Sequence, residues 1–116
     1  MPSIFPPKKN SAMRIVFPIL DNTGAPVPNA ADLDSEYSLD GGSLADCTNE
    51  AVQIDTSGIY YLDLVAAETN ADVFTIRVQT STANAKTTIL VFYTSSLTLD
   101  ELKALVDALE KASFSI

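Results

Sequence analysis

Ile59-Tyr60-Tyr61-Leu62-Asp63-Leu64-Val65 is the stretch on which the fold turns. Tyr60, Leu62 and Leu64 fall on one side of an extended chain, with Tyr61 and Asp63 on the other. That two-residue period is the mark of a half-buried β-strand. Thr56-Ser57-Gly58 ahead of it is a turn. After it, Ala66-Ala67-Glu68-Thr69-Asn70-Ala71-Asp72 is polar, Ala-rich and too short for a full helix, so it predicts one helical turn bridging two sheets.

Further strands lie on either side. Val73 to Thr80 alternates, with Phe74, Ile76 and Val78 inward and Thr75, Arg77 and Gln79 outward. Thr87 to Tyr93 is strongly apolar and rich in the β-branched residues that favour strands. Upstream, short strands are expected at Ala51 to Ile54 and Leu44 to Cys47, and Asp40-Gly41-Gly42 closes a hairpin. Leu33 to Leu39 is a weaker strand with Leu33, Tyr37 and Leu39 on one face. Met13 to Leu20 is the first strand, its later half demoted to an edge or bulge by Pro18. Turn signals recur at intervals of roughly ten residues, the pattern of an all-β sandwich or barrel. The reading is one antiparallel β-sandwich of about seven strands over residues 12–94.

Both ends break the pattern. Residues 1–11 form an extended arm in which Pro2, Pro6 and Pro7 cannot donate backbone hydrogen bonds. Ile4 and Phe5 on this arm predict docking, on a neighbouring subunit or on the arm's own domain. Residues 95–116 change to helical period. Thr98-Leu99-Asp100-Glu101 reads as a capping box, and Leu99, Leu102, Leu105, Val106 and Leu109 form one apolar stripe. A helix this short is marginal alone, so the stripe needs a partner surface. Its own sandwich is one candidate. Copies of the same helix are the other, since Leu99, Leu102, Val106 and Leu109 fit an a/d pattern for about two heptads.

Composition narrows the function. The chain has 116 residues, a net charge of −8 and no histidine. All eleven acids between Asp21 and Ile76 stand without a single Lys or Arg among them. Such a segment repels phosphate backbones and argues against nucleic-acid partners; a basic protein surface is the sharper alternative to simple solubility. No apolar run reaches the roughly 18 residues of a membrane span. The prolines and late lysines of the N-terminus do not read as a signal peptide.

Catalytic chemistry has few candidates. Histidine, the usual general base and metal ligand, is missing. Cys47 lies between Asp46 and Glu50, which favour the neutral thiol, and is read as a packed side chain. Asp32 and Asp34 match no calcium-loop spacing. The Tyr60-Tyr61 pair could serve as a sugar-stacking platform, but alternation places Tyr60 in the core. No catalytic, metal, cofactor or small-molecule site is expected.

Glu36 to Gly42 with its Asp-Gly-Gly end, Gly58-Ile59-Tyr60-Tyr61-Leu62-Asp63-Leu64, the Ala66 to Asp72 turn and Phe74 to Val78 together form a further pattern. Over Arg14 to Tyr93 it resembles the small immunoglobulin-like β-sandwich modules of tailed-bacteriophage virions. The resemblance implies a non-enzymatic structural role in capsid decoration, neck, tail or baseplate, in a virion assembled in the host cytoplasm. It implies partners among other virion proteins and copies of the chain itself, for example as a trimer, and no catalytic or ligand-binding residues. The assembly residues expected are Ile4, Phe5, Leu99, Leu102, Leu105, Val106 and Leu109. The alternative is a carbohydrate- or receptor-binding surface module.

Overall fold

The computed structural model describes residues 6–114. Its strands are β1 (Met13–Pro18), β2 (Asp34–Leu39), β3 (Ala45–Asp46), β4 (Val52–Gln53), β5 (Ile59–Leu64), β6 (Val73–Gln79) and β7 (Thr88–Tyr93). A 3₁₀ turn (Ala66–Thr69) separates β5 from β6, and the helix α1 (Leu99–Phe114) follows β7. The strands form two antiparallel sheets, one ordered β1-β5-β4 and the other β3-β2-β6-β7. The arrangement is consistent with a β-sandwich.

Register explains the core. Pairing of Ile15 with Leu62 and of Phe17 with Tyr60 lines up the inward residues of β1 and β5. In the second sheet, Tyr37 faces Ile76 and Leu39 faces Phe74, and Phe74 in turn lies opposite Phe92 with ring centroids 5.0 Å apart. The two inner faces meet in one cluster, where Tyr60, Leu62, Phe74 and Ile76 are almost wholly buried. Because side chains alternate, a one-residue slip of β5 would turn Leu62 and Leu64 out to water and Asp63 inward. The strand that decides the sequence reading therefore also sits at the centre of the core.

The connections are held by specific contacts. Proline at position 18 ends β1, and the chain continues through buried Ile19 to a single bridge between Leu20 and Pro26. The hydroxyl of Tyr60 donates to the Val27 carbonyl at 2.7 Å and accepts from the Ala30 N–H at 2.9 Å. This ties the long β1–β2 connection to the core. Gly58, at φ +78°, lies so close to Pro26 that a Cβ would stand 2.7 Å from the proline's own. A side chain there meets both strain and collision.

The 3₁₀ turn crosses between the sheets as the sequence predicts, and its Glu68 is buried. One carboxylate oxygen accepts the Val65 N–H and the other the Thr48 N–H, both at 2.8 Å. A buried carboxylate is tolerable when its lone pairs are taken up in this way. The polar composition of this segment gave no sign that one of its acids would be structural.

Candidate assembly surface

The chain leaves β7 at Thr94 and is fastened before α1 begins. Thr94 N–H donates to the Asp72 carbonyl at 3.0 Å. Ser95 N–H donates to the Pro7 carbonyl and Lys9 N–H to the Ser95 carbonyl, each at 2.9 Å, making a parallel bridge between Lys8 and Ser95. The arm is thus bound to its own domain from Pro7 to Ser11. Its far end is held by Thr69, whose hydroxyl accepts from the Ser11 N–H at 2.9 Å. Pro7 has no N–H to continue the ladder upstream along β7. Ile4 and Phe5, the expected arm contacts, lie outside the described residues.

The capping box is formed as expected. Thr98 N–H donates to Glu101 Oε1 at 2.9 Å, and Glu101 N–H to Thr98 Oγ1 at 3.3 Å. The other Glu101 oxygen accepts from Lys8 Nζ at 2.7 Å, joining arm to helix. Lys8, together with the Thr98 hydrogen bonds, holds the Glu101 carboxyl below the usual carboxylate range. One turn on, Lys103 pairs with Asp107 at 2.9 Å.

So anchored, α1 stands clear of the sandwich, and the molecule measures 67 × 30 × 22 Å. Leu99, Leu102, Leu105, Val106 and Leu109 are 44–60% exposed. Of the two surfaces open to the stripe, its own sandwich does not cover it in this structure. At the root, Pro6, Leu97, Leu99 and Leu102 line an apolar groove of about 320 Å³.

A second apolar surface lies on the outer face of β7, where Ile89, Val91 and Tyr93 are 53–71% exposed. The outward residues of the neighbouring β6, Thr75, Arg77 and Gln79, are polar by contrast. Antiparallel sheets with one solvated face normally alternate apolar and polar. β7 is apolar on both faces although it is an edge strand. The unbroken run Ile89-Leu90-Val91-Phe92-Tyr93 carries this signal in the sequence.

Cys47 is buried, and its thiol is pushed up to about 12, first by burial and then by the Glu68 and Glu50 carboxylates. Arg14 makes a two-pronged pair with Asp63 at 2.7 and 3.0 Å and lies 3.9 Å over the Tyr61 ring. Tyr61 is therefore partly covered, and Tyr60 is internal. Among the described residues no three His, Cys, Asp or Glu side chains gather as a metal site would require. No helix there is long and apolar enough to cross a membrane. No family model, curated protein or solved structure matches the chain.

Proposed function

We propose that this protein is a non-enzymatic structural component of a tailed-phage particle, an immunoglobulin-like module that assembles with copies of itself and with capsid, neck or tail proteins through its termini. The carrying observation is the helix: a capped, anchored α1 that holds its leucine stripe in water away from its own core. Exposed apolar surface of this extent marks an interaction site. Strand order supports the immunoglobulin-like part of the reading. The orders β1-β5-β4 and β3-β2-β6-β7 correspond to B-E-D and C′-C-F-G of that fold, with the place of strand A unfilled among the described residues. The resemblance of its motifs to those of phage modules supports the particle, and the absence of histidine supports a role without catalysis.

The test is to purify particles from the strain that carries the gene and measure the copy number of this chain by quantitative mass spectrometry. A fixed number of copies per particle is expected, with matching density in an electron-microscopy map. A chain missing from washed particles, or present in far less than one copy each, overturns the proposal.

A further inference from the structure

We infer that α1 of one copy lies on the outer face of β7 of a second copy, which returns its own helix in exchange. This names the partner of the stripe within the assembly reading above and rests on it. Among the described residues, the helix stripe and the Ile89-Val91-Tyr93 face are exposed apolar surfaces, and they match in length. Leu99 to Leu109 rises about 15 Å along a helix, and Ile89 to Tyr93 spans roughly 13 Å along a strand.

The two surfaces cannot meet within one copy without breaking the root. The five residues 94–98 that join β7 to α1 are held by the Asp72, Pro7 and Lys9 backbone bonds, and Lys8 grips Glu101 in the first turn. Reversing the helix onto its own β7 would strip these bonds. A neighbour's helix reaches the same face with all of them intact. Exchange of identical elements is a low-cost route to closed dimers.

Area is adequate. Covering eight half-exposed side chains removes about 50 Å² each, roughly 400 Å² per contact. Two reciprocal contacts and their polar rims approach the ~1,000 Å² of a specific interface.

Cysteine pairing tests this directly, because buried Cys47 stays out of mild thiol oxidation. Val91→Cys and Leu105→Cys both replace exposed side chains, so each variant should fold. The two are mixed in equal amounts and oxidised. A covalent dimer that forms in the mixture, and is at least tenfold weaker in either variant alone, is the expected result. A dimer from Leu105→Cys alone means that helices meet one another and overturns the inference. So does a dimer from Val91→Cys alone, or no dimer at all. An intramolecular bond in the Val91→Cys/Leu105→Cys double variant also overturns it, since the helix then folds back on its own strand. None of these failures removes the chain from particles, so the particle measurement judges the broader proposal separately.

Discussion

Leu64 and Leu102 carry the same side chain and would be hard to rank by hydropathy, yet they occupy opposite environments. Leu64 is 2% exposed at the centre of the sandwich. An aspartate there is an unpaired buried charge, so Leu64→Asp should cost more than about 4 kcal/mol; loss of the cooperative thermal transition in circular dichroism would record it. Tyr60→Phe keeps the ring and deletes the hydroxyl that serves Val27 and Ala30. Leaving those groups unsatisfied should cost about 1–3 kcal/mol, read as a lower urea midpoint with unchanged slope. Cys47 gives a pH signature. Its folded thiol sits near 12 against an ordinary value near 9.0, so the folded state holds its proton longer than the unfolded chain. The corresponding stability is complete below pH 9 and is lost as pH rises from 9 towards 12. Urea midpoints for the native chain and Cys47→Ala should differ in slope across that range and run parallel below it.

At the level of elements, α1 depends on its root more than on its length. The capping residues were readable because a capping box is local, needing only Thr98 and Glu101 three positions apart. Thr98→Ala should weaken the helix by about 1 kcal/mol, seen as reduced helical ellipticity while the β signal persists. The grip of Lys8 on Glu101 was not readable, because the two residues are 93 positions apart. It too has a pH sign. Glu101 is depressed below its ordinary 4.5, chiefly by Lys8, so its contribution is complete above that value and lost as pH falls through the lower folded value. Helical signal should therefore fall on acidification before the sandwich unfolds, and Lys8→Ala should bring that fall to higher pH. Strand β7 shows the complementary limit. Its apolar run betrays a strand, but whether one or both faces are covered depends on what packs against each face.

For the whole molecule, the sandwich and the helix are separable in their energetics. Leu102→Asp removes no contact with the core and should leave the thermal midpoint of the sandwich within the change of about 0.5 kcal/mol usual for a surface site. Sedimentation equilibrium should show the same variant at monomer mass. Equal destabilisation by Leu64→Asp and Leu102→Asp would instead place the helix in the core. The −8 net charge works against self-association at low ionic strength, so assembly of the native chain should strengthen as salt screens the acidic loops.

Sequence alone determined the strands and the cap, because alternation, turn residues and helix caps are written over a few neighbouring positions. It determined that Leu99, Leu102, Leu105, Val106 and Leu109 share a face, since the helical period needs no further information. Tertiary structure decided which apolar faces stay in water: the stripe of α1 and the outer side of β7. It also decided that Glu68 is buried and that Lys8 holds the helix root. Burial is a property of what lies opposite a residue, and here the opposing groups come from distant parts of the chain.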